Sequence, residues 1–139
     1  MKRLLAALLA LMMLLTMTSC AAPDAAVHFL VGGTQVNLVT IDAFLQSYEA
    51  VVAAQTGHVS THETGAIEAT GHKCLALPGK NGKITARQVR KAVEEHRANA
   101  SHEHEVQPGM VYISNPTEVG TLYNKEELTE LSAACYELG

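Results

Sequence analysis

The sequence predicts an α/β fold, a partial three-layer sandwich with a mostly parallel sheet, preceded by an N-terminal signal helix. Three observations predict it. Short apolar runs recur without the polar alternation of a half-exposed sheet, as in "AVVAA" and "KCLAL". Segments with helical spacing separate them, in the order β-α-β-α-β-α-β-α, which calls for parallel strands covered by helices on both faces. The first twenty residues have a different character from all that follows.

The leader opens on Lys2 and Arg3 and continues as an uninterrupted apolar run from Leu4 to Leu15. That run is short for a membrane span and has the layout of a signal peptide. It ends on "TMTSC", so it resembles a bacterial lipoprotein signal with Cys20 as the lipidated residue. An uncleaved anchor and a wrongly assigned start are the competing readings. The chain thus divides into a leader, 1–20, and a domain, 21–139.

Within the domain, "VHFLV" (Val27–Val31) reads as a buried strand closed by Gly32 and Gly33. Thr34 opens a helix in which Val36, Val39, Ala43 and Phe44 recur at helical spacing. Ala50–Ala54 is the second strand. "STHETGAIEAT" is a short helix with Thr61 as its cap, and "KCLALP" is a third strand ended by Pro78. Thr85 caps "ARQVRKAVEEHRA", Met110–Ser114 is the fourth strand, and Asn124 caps "KEELTELSAACYEL". The chain stops after a helix where a further strand would follow, so the domain reads as cut short.

The 139 residues carry a formal charge of −4, and −6 once the leader's two cations are removed. That balance excludes a nucleic-acid partner, which needs a basic footprint. Cys74 and Cys135 lie in apolar surroundings and read as buried free thiols rather than a disulfide framework. No zinc-type cysteine spacing occurs.

Ligands of parallel α/β sheets sit beyond the carboxyl ends of the strands. The loops there are "GGTQ", "QTGHVSTHE" and "SNPTEVGT". In the first, free backbone N–H groups at a helix start make a phosphate cradle, although a Gly-Gly before a helix also serves as a plain tight turn. In the second, His58 follows a strand directly and is suited to metal binding, proton transfer or stacking on a flat ring. His62 and His72 read as surface or internally satisfied histidines, and His102 and His104 as solvent-exposed.

Four stretches carry a resemblance: "PDAAVHFLVGGTQVNL", "YEAVVAAQTGHVSTHETGAIEATGHK", "LPGKNGKIT" and "MVYISNPTEVGTLYNKEEL". In order and spacing, residues 22–139 resemble part of the large domain of threonine aldolases, within the β-eliminating lyase group of pyridoxal-phosphate (PLP) enzymes. The resemblance implies the aspartate-aminotransferase-type fold (fold type I), PLP as cofactor, a small amino-acid substrate, and a homodimer with active sites near its interface. It implies that Gly33 and Thr34 hold the PLP phosphate with Gln35 beside them. It also implies that His58 stacks on the pyridine ring with Glu63 in support.

Two departures matter. Several members of that group have a histidine in the loop after the fourth strand. Here that loop has none, leaving Asn115, Thr117 and Glu118 as loose candidates. The group's Schiff-base lysine and pyridinium-pairing aspartate fall after the point matching Gly139, and Lys73, Lys80, Lys83, Lys91 and Lys125 do not lie in the matching lysine motif. The expectation is a chain without the complete aldolase chemistry. Its leader, suited to lipid anchoring at the cell membrane, conflicts with the group's cytoplasmic setting. A mis-assembled reading frame explains both features. The competing class is a non-catalytic, lipid-anchored domain that binds a small phosphorylated ligand at the "GGT" turn.

Overall fold

A computed structural model describes residues 26–139. The signal helix and the lipidation site at Cys20 lie outside the described residues. Among those residues, no helix is long and apolar enough to cross a membrane. Residues 26–30 belong to a separate N-terminal unit and have no regular structure.

That is a first correction, because the sequence predicts a strand over Val27–Val31. Val31 is 95% exposed and forms a bend. An apolar run becomes a strand only where a neighbouring strand takes its N–H and C=O groups, and the described sheet consists of three other strands.

The unit 31–139 is built in three layers. Helix α1 (Gly33–Phe44) is followed by strand β1 (Glu49–Ala54), the one-turn helix α2 (His58–Thr61) and strand β2 (Lys73–Leu77). Helix α3 (Ala86–Ala98), strand β3 (Gln107–Val111) and helix α4 (Lys125–Leu138) complete it. The sheet is parallel with order β2-β1-β3, so β1 is central and its Ala50–Ala54 are all buried. Period-two alternation sends Val51 and Ala53 to one face, where Ile41, Leu45, Val59 and Ile67 pack, and Val52 and Ala54 to the other, against Ile84, Val89, Tyr123 and Leu131. Each of these larger apolar side chains, once buried, contributes about 1.5–3 kcal/mol, so the sandwich rests on β1.

Both predicted caps form as full capping boxes, Thr85 with Gln88 and Asn124 with Glu127. The fourth strand begins three residues earlier than predicted, at Gln107 rather than Met110. Pro108 and Gly109 disguise it, since both are poor strand formers, but an edge strand with a bulge tolerates them. Tyr112 continues the ladder with its N–H 2.8 Å from Val52 O.

The predicted helix over 60–70 is broken. Thr64 (φ 54°) and Gly65 (φ 75°) turn left-handed and divide α2 from a 3-10 turn at Glu68–Thr70. Thr61 is therefore no N-cap; its hydroxyl bonds back to Gly57 O at 3.1 Å. Cys74 and Cys135 are both free, but Cys135 is exposed rather than buried. Burial pushes the Cys74 thiol above its ordinary range, and the Ser60 hydroxyl 3.1 Å away opposes that only in part.

Candidate functional site

The "GGT" turn is the N-terminus of α1. Gly32 is its cap, extended (φ −175°, ψ 167°), with no side chain closing the helix end and no acidic residue in the first turn. The first helical bond runs from Val36 N to Gly32 O at 3.1 Å. The N–H groups of Gly33, Thr34 and Gln35 therefore precede the helical ladder and face outward, at the positive end of the helix dipole. Gln35 also turns back through its side chain, which accepts from Val31 N at 3.0 Å.

The fold makes no demand for glycine here. A Cβ placed on Gly32 or Gly33 meets nothing within 4 Å, and neither residue is left-handed. The turn is open space lined by backbone donors.

The second loop leaves β1 through Thr56 and Gly57. Gly57 has a packing reason of its own, since a Cβ there would lie 2.9 Å from Ala54 O. It delivers His58 at the first position of α2. The break at Thr64–Gly65 then lets Glu63 turn inward, where its side chain is 1% exposed beside the 43% exposed ring of His58. His58 Nδ1 lies 2.9 Å from Glu63 Oε1. An ionised carboxylate only accepts, so this pairing puts the ring proton on Nδ1.

Asn37 joins that pair to α1. Its Nδ2 donates to the same Glu63 Oε1 at 2.5 Å and faces the Tyr112 hydroxyl at 3.5 Å. Thr34 and Asn37 are three apart on a helix and share a face. The cradle and the His58 ring are thus linked through one turn of α1 and one carboxylate. Glu63 Oε2 is buried with no donor, so the carboxylate keeps an unused acceptor.

The remaining sequence candidates divide. Glu118 accepts a short hydrogen bond from the Ser114 hydroxyl, which is 3.3 Å from Tyr112 OH, so Glu118 connects to the same network. Asn115 and Thr117 do not. Asn115 Oδ1 accepts from Tyr123 N at 3.1 Å, and buried Thr117 pairs with the Thr121 hydroxyl at 2.8 Å, so both brace the loop. His62 is exposed, its ring 5.6 Å from that of His58. His72 is buried and satisfied, with Nδ1 3.1 Å from Glu49 O. His102 and His104 are exposed. Among the described residues, no three His, Cys, Asp or Glu side chains gather as a metal-binding group.

Asn37, Tyr112 and Ser114 are missing from the sequence candidates. Asn37 left one signal, being an asparagine inside a helix of Val, Leu and Ile, where it is intrinsically disfavoured.

A family model of β-eliminating lyases matches residues 12–139. The low specificity L-threonine aldolase of a Pseudomonas species is 36% identical over 118 residues, 84% of this chain and 33% of that protein. The enzyme of the same name from Pseudomonas aeruginosa matches over the same share at 36%. A solved structure of Leishmania major threonine aldolase superposes with a TM-score of 0.77 at 54% identity, covering 83% of this chain and 32% of that one. The chain spans about a third of the length of these relatives.

Proposed function

The chain belongs to the β-eliminating lyase family, with threonine aldolases as its relatives, and from that premise we propose that residues 31–139 carry the phosphate-holding and ring-stacking half of a PLP pocket. The reaction such a pocket serves is cleavage of a β-hydroxy-α-amino acid between Cα and Cβ, giving glycine and an aldehyde.

The family is PLP-dependent, and the residues present fit that group. The cradle at Gly32–Gly33 is open where a Cβ would intrude on a ligand, and three backbone donors face it without an acidic neighbour. When bound, PLP supplies the electron sink for the bond broken at the substrate's α-carbon. Gly33 and Thr34 hold the phosphate through N–H groups and the Thr34 hydroxyl, with Gln35 at the rim. His58 presents the face of a half-exposed ring, and Glu63 fixes that ring's orientation through Nδ1. One observation carries this reading: the Asn37–Glu63–His58 chain ties the ring to the helix whose first turn is the cradle.

The described lysines are either ion-paired or exposed. Lys83 is bound to Glu127 at 2.8 Å and Lys91 pairs with Glu95 at 3.5 Å, while Lys73, Lys80 and Lys125 are exposed. We expect these residues to hold PLP without covalent capture and without turnover. Equilibrium dialysis of PLP against the 139-residue chain, followed by borohydride reduction and peptide mapping, tests this. The expected result is saturable binding weakened about tenfold by Thr34→Ala or His58→Ala, the worth of one good polar contact or ring contact, with no lysine modified stoichiometrically. Binding indifferent to both substitutions, or stoichiometric reduction onto one lysine, overturns the proposal.

A further inference from the structure

We infer that Asn37 is a positioning residue, the node that sets the tautomer and orientation of His58 and joins it to the loop after β3. The inference deepens the pocket reading and rests on it for the purpose of the His58 ring, but not for the geometry.

Counting protons fixes the direction of the bonds that Asn37 makes. The Asn37 amide nitrogen has two. One goes to Glu63 Oε1 at 2.5 Å, and the other faces the Tyr112 hydroxyl at 3.5 Å. Ser114 has a single proton, and its short bond to Glu118 uses it, because an ionised carboxylate cannot donate. The Tyr112 hydroxyl faces Asn37 Nδ2 at 3.5 Å and lies 3.3 Å from Ser114 Oγ, which joins Glu118 to the same group. Both amide protons of Asn37 therefore point outward, one to the Glu63 carboxylate and one toward the Tyr112 hydroxyl.

The consequence falls on Glu63. Its Oε1 receives two donors while the buried Oε2 receives none. Two donors on one oxygen hold the carboxylate in a single rotamer, with that oxygen aimed at His58 Nδ1. Without the amide, the carboxylate is free to swing toward its unpartnered side, and His58 loses the acceptor that selects its tautomer. Leucine would serve α1 better as a helix former, but it donates nothing. Asn37 reaches across 26 residues to Glu63 and 75 to Tyr112, so it couples three elements at the mouth of the site.

The test needs no cofactor, so its failure is distinct from failure of PLP binding. Imidazole nitrogen shifts of His58 are recorded by NMR in the 139-residue chain, wild type and variants. We expect one Nδ1–H tautomer in the wild type, a mixture of both tautomers in Asn37→Leu, and recovery of the Nδ1–H form in Asn37→Gln. Tyr112→Phe, which spares α1 and removes the second partner of Asn37, moves the population in the same direction by less, and it decides the matter if Asn37→Leu does not fold. Purely structural residues would lower the unfolding midpoint without moving the tautomer. An Nε2–H form in the wild type, or populations unmoved in the folded variants, overturns the inference.

Discussion

The imidazole of His58 gives its Nδ1 proton to Glu63 Oε1 across 2.9 Å, and the carboxylate that receives it is all but sealed from solvent. The charge is placed where it orders a ring rather than where it meets water. Replacing it isosterically should separate function from folding. Glu63→Gln keeps an acceptor for both donors but removes the charge, and hydrogen bonds to charged groups are about twice as strong as neutral ones. The expected outcome is PLP affinity three- to tenfold weaker, with unfolding free energy changed by under about 1 kcal/mol. A loss above about 3 kcal/mol in urea denaturation would instead make Glu63 a structural residue.

Two glycines make opposite demands. Gly82 (φ 77°) is left-handed, and a Cβ there would lie 2.8 Å from Thr117 Oγ1 and 2.9 Å from Val119 Cγ2. Gly82→Ala should cost about 1–3 kcal/mol through strain and displacement. At Gly33 a Cβ meets nothing within 4 Å. Gly33→Ala should leave the fold intact or stabilise it by about 0.4–1 kcal/mol, because alanine narrows the unfolded ensemble, while weakening phosphate and PLP binding. Thermal unfolding and dialysis on the same two variants check both halves.

Tyr123 is the buried brace of the far face. Its hydroxyl accepts from Ile84 N at 2.8 Å, and burial pushes the phenol above its ordinary range despite that bond. Tyr123→Phe leaves a buried N–H without a partner. The expected loss is about 1–3 kcal/mol in denaturant midpoint analysis, with His58 signals unmoved. A change below about 0.5 kcal/mol would show that another acceptor takes over.

Acid should loosen the same face. The Lys83 ammonium, followed by the Asn124 N–H, holds the Glu127 carboxyl below its ordinary range. Its folded value is depressed, so its contribution is fully present above the ordinary glutamate value and is lost as pH falls through the depressed one. Carbon-detected titration of Glu127 should show the low midpoint in the wild type and a return toward the ordinary value in Lys83→Met. An unchanged midpoint in that variant contradicts the assignment.

What could be read ahead of the structure followed from local chemistry. β1 declared itself through consecutive Val and Ala buried on both faces, and α3 and α4 through their cap residues Thr85 and Asn124, which the structure completes as capping boxes. The place of His58 directly after β1, and of the Gly32–Gly33 turn at a helix start, was legible because glycine turns and helix starts are contiguous there. What failed depended on neighbours. Val27–Val31 has the composition of a strand but needs another strand's edge. Thr64 takes a left-handed turn that its residue type does not announce. Asn37 and Tyr112 meet across 75 residues, a contact that only the packing of α1 against β3 creates.

We propose that the first turn of α1 and the His58 ring form one pocket. Titrating PLP into the isotopically labelled 139-residue chain tests it most directly. The predicted result is joint movement of the Gly33, Thr34 and Gln35 amides and the His58 ring along a single binding curve, weakened together by Gly33→Ala. Shifts confined to the exposed lysines, or cradle and ring responding with separate curves, would contradict it.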